Sequence, residues 1–273
     1  MPSASAIAWS TIAWSFTASR STATVPDRTA PSRAIAALRV AGLLLLFLLC
    51  VPLHLLSRLV FGRSGWPPRF LAASAWICGA RVRVAGRKLE PHTLMICNHV
   101  SWLDILVVGG ATGCAFVSKH ELGHPFLHWM ADQGGTLYVR RDHRKGAPQQ
   151  AEAIARKLQE AQPLALFPEG TTGPGTDMLP FRSTLFSAVA PAPPRVSVRP
   201  VALDYGESAP ELGWHEEPGM DNVLRVLGRT RPIHVTVRLL EPLPPVADRK
   251  ALANAAREAI AQALTSSRGH EAL

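Results

Sequence analysis

His99 and Asp104 lie five positions apart, directly after the apolar run at residues 93–97. That run has the length and composition of a buried strand, so the pair falls where a strand gives way to a loop and a helix. An imidazole titrates near neutral pH and can take a proton from a hydroxyl group, and a neighbouring carboxylate can fix its tautomer. The pair therefore predicts a general base, provided that His99 precedes the helix, because positions five apart on one helix point about 140° away from each other.

Ser101 and Asp104 also fit a capping box, in which a serine and an acid three residues later satisfy the free N–H groups at a helix start. In that interpretation Asp104 is only a cap and His99 has no catalytic partner. The spacing alone leaves both interpretations open.

A second group of polar residues follows the apolar run at residues 164–167. Glu169, Gly170 and Thr171 stand at a predicted strand end, where backbone N–H groups can cradle a ligand. Arg141 follows another short apolar run and suits bidentate capture of a phosphate group. The alternatives are an ordinary turn that begins at Pro168 and an exposed strand end.

Sequence patterns for a metal site and for a nucleophile are weak in this chain. Residues 120–124 fit the zinc-binding pattern H-E-x-x-H, but Gly123 and Pro125 should interrupt the helix that such a site needs, which favours a solvated loop. The chain contains no G-x-S-x-G motif, so no serine nucleophile is visible. Cys97 lies within an apolar strand and is expected to be a buried thiol.

The composition indicates a membrane-associated protein of enzyme size, with 273 residues, a net charge of +9 and 47% hydrophobic residues. The apolar excess is concentrated at residues 34–61, long enough for a membrane helix of roughly 20 residues. Pro52 and His54 interrupt it, so a kinked hairpin in one leaflet competes with a straight span. Seven basic residues and no acid follow between positions 57 and 89, namely Arg58, Arg63, Arg69, Arg81, Arg83, Arg87 and Lys88.

This basic flank favours the cytoplasmic face of the cell membrane and anionic lipid, at roughly 1 kcal/mol per charge. A merely solvated basic surface is the alternative. Nucleic acid is not expected as a partner, because no basic–aromatic interleaving or nucleic-acid module is present. The four cysteines are unpaired in spacing and predict buried thiols rather than a disulfide or zinc framework.

Strands and helices alternate after the apolar segment, which predicts an α/β fold with a mixed, mostly parallel sheet flanked by helices. The predicted strands cover residues 93–97, 114–118, 136–140, 164–167, 196–203 and 233–240, and the predicted helices cover 101–109, 147–161 and 247–264. We expect a disordered extension at 1–33, a membrane-anchoring helical segment at 34–80, the α/β domain at 81–265 and a flexible tail at 266–273.

Four blocks occur in an order that resembles the 1-acyl-glycerol-3-phosphate acyltransferases, the lysophosphatidic acid acyltransferase-like family of glycerolipid acyltransferases. They are N-H-x4-D at residues 98–104, a glycine and an arginine at 135–141, F-P-E-G-T at 167–171 and V-R-P-V at 198–201. The resemblance covers roughly residues 35–245, and residues 119–125 look like the K-x-E-L…P linker of that family. The implied fold is the glycerolipid acyltransferase fold with an N-terminal membrane-embedded helix or helical hairpin.

The resemblance implies that His99 is the general base on the acceptor hydroxyl, with Asp104 orienting it. Arg141 would bind the polar head of the acceptor together with Glu169, Gly170 and Thr171. The implied reaction moves a fatty acyl group from acyl-CoA or acyl-carrier-protein to a lysophospholipid. It needs no covalent acyl-enzyme, metal or bound cofactor, and its acceptor would be 1-acyl-sn-glycerol-3-phosphate.

One position departs from the pattern, since Thr172 stands where this family usually has an arginine after E-G-T. Arg182 or Arg140 could supply the missing positive charge. Some bacterial relatives with E-G-T-T look like acyltransferases for lyso-ornithine lipid or other lyso-lipids, so that acceptor is the alternative. A catalytically silent lipid-binding protein would not need His99, Asp104 and Glu169 together. A thioesterase would use water as acceptor and needs no head-group arginine.

Overall fold

The computed structural model describes residues 31–119, 125–139 and 147–270. Its sheet has seven strands in the order β1-β7-β6-β2-β5-β3-β4. Neighbouring strands are parallel except β6 and β7, which are antiparallel, so the predicted mixed, mostly parallel sheet is confirmed. The strands are β1 Ala80–Gly86, β2 Thr93–Cys97, β3 Ala115–Lys119, β4 Leu137–Val139, β5 Leu164–Leu166, β6 Ser197–Asp204 and β7 Ile233–Leu239.

Helices cover both faces of this sheet. Leu94 and Ile96 of β2 point into a core shared with α5 and α8, whereas Met95 and Cys97 point into a core shared with α2, α3 and α7. All four side chains are fully buried. The helices are α1 Arg33–Phe61, α2 Trp66–Ile77, α3 Leu103–Thr112, α4 Pro125–Gln133, α5 Ala147–Lys157, α6 Ala209–Leu212, α7 Gly219–Leu227 and α8 Arg249–His270.

The observed elements differ from the predicted ones mainly at their ends. Helix α5 stops at Lys157, and α8 continues to His270, five residues past the expected end of the domain at 265. Sequence patterns did not predict β1, α4, α6 and α7, whereas α2 lies within the helical segment expected at 34–80. Ser32 caps α1 and Arg33 begins it, while residues 1–30 of the predicted N-terminal extension lie outside the described residues. All four cysteines are buried and free, as predicted.

The N-terminal segment forms a helical hairpin. Helix α1 has 29 residues and a mean hydropathy of 2.6 over 18 of them, and within the described ranges it alone is long and apolar enough to cross a membrane. It continues through Pro52, and α2 folds back along it. The Trp66 Nε1–H donates to Ser57 Oγ at 3.1 Å, and the Phe47 and Phe70 ring centroids lie 6.4 Å apart. The hairpin therefore turns after α1 rather than at Pro52.

Helix α1 is attached to the α/β domain near both of its ends. Arg39 donates to the Leu227 carbonyl oxygen at 2.9 Å, and the His54 Nε2 lies 3.0 Å from the Gln133 Oε1 on α4. A helix of this length extends about 43 Å. It thus lies along the domain and presents a broad apolar surface, formed by the exposed side chains of Leu38, Val40, Leu44, Leu45, Leu48, Leu49, Leu53, Leu55, Leu56, Leu59, Val60 and Phe61.

Candidate active site

Asn98 fixes the loop that carries His99. Its side-chain amide donates to the Leu203 carbonyl oxygen at 3.1 Å and its Oδ1 accepts the Leu203 N–H at 2.8 Å. These two bonds join the end of β2 to the end of β6, the neighbouring strand. The loop after β2 is therefore held at the carboxyl edge of the sheet, where functional loops of α/β folds are expected.

His99 and Asp104 form a direct pair. The His99 Nδ1 lies 2.8 Å from Asp104 Oδ2, and the Asp104 side chain is completely buried in the first turn of α3. The same oxygen accepts the backbone N–H groups of Val100 at 2.7 Å and Ser101 at 2.9 Å. Asp104 thus satisfies free N–H groups before the helix and orients the imidazole at the same time, so the two interpretations of its role coexist.

Tyr205 completes the surroundings of Asp104, and sequence patterns gave no sign of it. Its hydroxyl donates to Asp104 Oδ1 at 2.6 Å. Burial, and then the charge of Asp104, raise the pKa of Tyr205 well above its usual value, so the phenol remains a donor. With four donors around it, the buried carboxylate is fixed in orientation.

The His99 ring is left with one nitrogen facing outward. It stacks on Phe167, with the ring centroids 4.2 Å apart and an interplanar angle of 23°, and its side chain is 17% exposed. Since a carboxylate accepts from Nδ1, the neutral ring carries its lone pair on Nε2. Over the described ranges no hydrogen-bond partner contacts Nε2, so this atom is available to a substrate.

Glu169 connects two loops from a buried position. Its Oε1 accepts the His99 N–H at 2.7 Å, and its Oε2 accepts the Leu179 N–H at 2.9 Å. Only 3% of the residue is exposed. Burial raises the pKa of Glu169 to about 7, although the two backbone hydrogen bonds oppose this shift. The carboxylate therefore positions the backbone of His99, in addition to any contact with a ligand.

The remaining predicted binding residues lie around the same loop. Gly170 has a φ of +78°, a left-handed conformation that favours glycine. Thr171 and Arg182 are exposed, and the Arg182 N–H donates to the Pro168 carbonyl oxygen at 2.9 Å. Arg141 lies outside the described residues. The structure thus brings Gly170, Thr171 and the backbone of Arg182 to the Glu169 loop, and their contact with a lyso-lipid stays a prediction.

A cavity opens beside His99, and the charged groups along its described wall are acidic. Glu169, Asp177 and Asp204 line it, and no lysine or arginine among the described residues does. Asp204 is paired with Arg238 at 3.1 Å. Asp177 is exposed and forms no ion pair within the described ranges. The free carboxylate of Asp177 therefore gives the cavity an acidic rim.

Comparisons with known proteins agree with this geometry. A model of the acyltransferase family matches residues 81–204. A lyso-ornithine lipid O-acyltransferase from Rhodobacter capsulatus is 33% identical over 196 residues, which are 66% of this chain and 71% of that protein. The chain belongs to the acyltransferase family. A 1-acyl-sn-glycerol-3-phosphate acyltransferase from Neisseria gonorrhoeae is 34% identical over 124 residues, 44% of this chain and 48% of that protein.

The fold of this acyltransferase is also that of a solved structure. The 1-acyl-sn-glycerophosphate (LPA) acyltransferase from Thermotoga maritima superimposes with a TM-score of 0.62 at 17% identity, covering 85% of this chain and 96% of that one. The family resemblance drawn from the four sequence blocks is therefore confirmed, as is the fold.

Thr172 stands where the acyltransferase pattern has an arginine, and it links its loop to Trp214 by a hydrogen bond. Its hydroxyl donates to the Trp214 carbonyl oxygen at 2.8 Å, and the Trp214 N–H donates to the Val100 carbonyl oxygen at 3.1 Å. The next residue is bound in the same way, since the Gly173 N–H donates to the His99 carbonyl oxygen at 2.9 Å. The position thus holds the loop against the backbone at His99 and Val100 and supplies no positive charge.

The structure gives no support to a zinc site or to a cysteine nucleophile within the described residues. No group of three or more potential metal-ligating side chains occurs among the described residues, and the H-E-x-x-H residues lie outside them. Helix α4 begins at Pro125, directly after that motif. Cys97 is fully buried, and burial raises the pKa of its thiol well above the usual value, so it is not a nucleophile at neutral pH.

The raised pKa of Glu169 predicts how stability changes with pH. In the unfolded chain this carboxyl loses its proton near pH 4.3, whereas the folded protein keeps the proton until about pH 7. Between these values the folded state binds the extra proton, so raising the pH lowers stability. Relative to Glu169→Gln, the free energy of unfolding of the wild type should fall by about 2 kcal/mol from pH 5 to pH 8. Urea unfolding in a mild detergent measures this, and a pH-independent difference would contradict it.

Proposed function

We propose that this acyltransferase moves a fatty acyl group from a thioester donor to the free hydroxyl group of a lyso-lipid, with His99 as the general base. The observation that carries the proposal is the His99–Asp104 pair, with His99 Nδ1 2.8 Å from Asp104 Oδ2, at a histidine that lines the cavity. Asp104 supports the base because its charge stabilises the imidazolium that forms during the reaction.

The proposed reaction has two proton transfers and one exchange of bonds. His99 Nε2 takes the proton of the acceptor hydroxyl group while the oxygen of that hydroxyl attacks the thioester carbonyl carbon. The new C–O bond forms, the C–S bond breaks, and the thiolate takes the proton from His99. The thiol of coenzyme A or of acyl-carrier-protein leaves. A direct transfer of this kind fits a site in which Cys97 is buried and in which, among the described residues, no serine hydroxyl is hydrogen-bonded to the His99 ring.

Lyso-ornithine lipid is the acceptor that the site favours. The sequence predicted 1-acyl-sn-glycerol-3-phosphate first and lyso-ornithine lipid as the alternative. A phosphate monoester carries about two negative charges, which the carboxylate of Asp177 would repel and which Thr172 does not balance. The ornithine head carries an ammonium group that an acidic rim attracts. The lyso-ornithine lipid O-acyltransferase from Rhodobacter capsulatus supports the same choice.

A panel of acceptors tests both the transfer reaction and the choice of lyso-ornithine lipid as the acceptor. Purified protein is given acyl-CoA alone or together with lyso-ornithine lipid, 1-acyl-sn-glycerol-3-phosphate or lysophosphatidylcholine, and thiol release and lipid mass are followed. We expect release only with an acceptor, and kcat/KM for lyso-ornithine lipid about tenfold above that for 1-acyl-sn-glycerol-3-phosphate. Thiol release without any acceptor would favour hydrolysis and overturn the transfer reaction. A preference for the phosphate acceptor would overturn only the choice of substrate.

Two variants of Thr172 sharpen the panel. Thr172→Arg adds the charge of the family pattern and should shift the kcat/KM ratio toward 1-acyl-sn-glycerol-3-phosphate. Thr172→Val is the matched control, since it also loses the hydrogen bond to Trp214 but adds no charge. An equal shift in both variants would assign the effect to the loop rather than to the charge.

We also infer that the protein meets the membrane through α1 and α2, with the active site on the cytoplasmic side. The apolar side chains exposed along α1 and the basic residues that follow support this arrangement. A helix that spans a bilayer has its two ends on opposite sides of the membrane, so a domain on one side can contact only one of them. Helix α1 contacts the α/β domain near both ends, which favours a helix lying in one leaflet.

A further inference from the structure

A second cavity lies at the turn between α1 and α2, and it shares no residue with the cavity beside His99. Its volume is about 390 Å³, within the range of small-ligand sites. Arg63 and Arg69 line it together with Ser57, Ser64, Phe61 and Trp66. Neither the acyl-transfer chemistry nor the packing of the core makes use of this cavity.

No ion pair among the described residues balances the positive charge of this cavity. Arg63 and Arg69 line it, and no aspartate or glutamate occurs between positions 57 and 89. Neither arginine forms an ion pair in the part of the chain that the structure describes. Guanidinium groups recognise phosphate by bidentate hydrogen bonds, so the cavity suits a phosphate group.

Several contacts hold the cavity wall in place. Arg69 donates to the Gly65 carbonyl oxygen at 2.9 Å, and its guanidinium carbon lies 5.8 Å from the centroid of the Trp66 ring. The indole N–H of Trp66 donates to Ser57 Oγ at 3.1 Å, which leaves the Ser57 hydroxyl hydrogen able to donate in turn. Arg69 thus keeps one edge fixed and has further N–H groups for a ligand.

The mouth of the cavity is apolar on the α1 side. Phe61 lines the cavity and is 72% exposed, and it continues the apolar surface of α1. A soluble phosphate would gain nothing from this side chain. The head of a phospholipid in the cavity would instead place its acyl chains against it. Tryptophan and arginine together are also typical of the zone where a membrane meets water.

We propose that the cavity between α1 and α2 binds the phosphate group of an anionic membrane phospholipid. This site is distinct from the diffuse attraction that the basic flank as a whole would exert. It would fix the position of the hairpin turn in the head-group layer, because a bound phosphate holds Arg63 and Arg69 at the depth of the lipid head groups.

The experiment measures sedimentation of the full chain with phosphatidylcholine vesicles that contain or lack phosphatidylglycerol. The test variant is Arg63→Gln/Arg69→Gln. The matched control is Arg83→Gln/Arg87→Gln, which removes the same charge from exposed positions in and just after β1, within the same basic stretch. We expect the test variant to lose about thirtyfold in partitioning to the anionic vesicles, and the control less than about threefold.

Equal losses in the two double variants would overturn the proposal in favour of a diffuse basic surface. Arg63→Gln alone, which removes no hydrogen bond found in the described residues, separates lost binding from altered folding and should give part of the loss. Inorganic phosphate should displace the protein no better than chloride at equal ionic strength. Stronger displacement would overturn the lipid assignment and indicate a soluble phosphate ligand. The assay involves no turnover, so its outcome is independent of the acyl-transfer reaction.

Discussion

His99→Ala should lower kcat/KM for acyl transfer by about a thousandfold, because a positioned general base contributes roughly 10²–10⁴ to the rate. The fold should survive, since the His99 ring is partly exposed and Asp104 keeps three other donors when it is removed. Thiol release with a lyso-lipid acceptor measures the activity, and thermal unfolding measures the fold. His234→Ala, at an exposed position on β7, is the control and should leave both unchanged.

The base would have to be sought elsewhere if His99→Ala retained more than about a tenth of the wild-type kcat/KM while folding normally. Loss of activity together with loss of the folded state would instead assign His99 a structural role. The two measurements distinguish these outcomes on the same protein sample.

Asp104→Asn should reduce both activity and stability. The carboxylate accepts hydrogen bonds from the His99 ring, two backbone N–H groups and the Tyr205 hydroxyl. An asparagine amide cannot accept all four hydrogen bonds, because its NH₂ group is itself a donor and would face donor groups of the protein. We expect about a thousandfold loss of kcat/KM from the wrong imidazole tautomer and a loss of about 2 kcal/mol in the free energy of unfolding.

Tyr205→Phe separates these two effects of Asp104. It removes one donor from Oδ1 and leaves the 2.8 Å pair with His99 in place. The expected loss of activity is therefore about tenfold or less, with a destabilisation of about 1 kcal/mol. Activity is compared well below the unfolding temperature, so that each variant is assayed folded. If Tyr205→Phe lost as much activity as Asp104→Asn, the orientation of His99 would depend on the tyrosine rather than on the acid.

The central pair of this site could be predicted from the sequence because both partners belong to one local segment. The apolar strand, the five-residue spacing and the start of α3 place His99 before the helix and Asp104 in its first turn. The ambiguity between a base and a cap was real, since the structure gives Asp104 both sets of contacts. The acyltransferase blocks elsewhere in the chain, the basic flank and the absence of a serine nucleophile motif favoured the base.

The partners from other strands could not be predicted in this way. Tyr205 is 101 residues from Asp104, and Glu169 is 70 residues from His99. They meet because β2 lies between β5 and β6 in the sheet, an order that short-range patterns do not encode. Glu169 was expected to contact the lyso-lipid head, and its backbone contacts became visible only once the loops were assembled.

Several elements escaped prediction because their sequences lack a clear buried pattern. Strand β1 alternates arginine with valine and is exposed along most of its length, so it has no apolar run. Helix α2 carries two prolines in its first turn and follows the long apolar segment directly. The sequence therefore placed α2 within the helical segment at 34–80 and did not separate its bounds from those of α1.

Because α1 is attached to the α/β domain near both of its ends, no flexible linker separates this helix from the domain. Ala36 near the start of the helix belongs to the main hydrophobic core, and Cys50 farther along is buried as well. A domain on a flexible linker sweeps out a volume above its anchor and meets its targets at an effective concentration set by linker length. Here a membrane that holds α1 also fixes the tilt and height of the α/β domain. Lipids would then reach His99 by lateral diffusion toward a stationary opening.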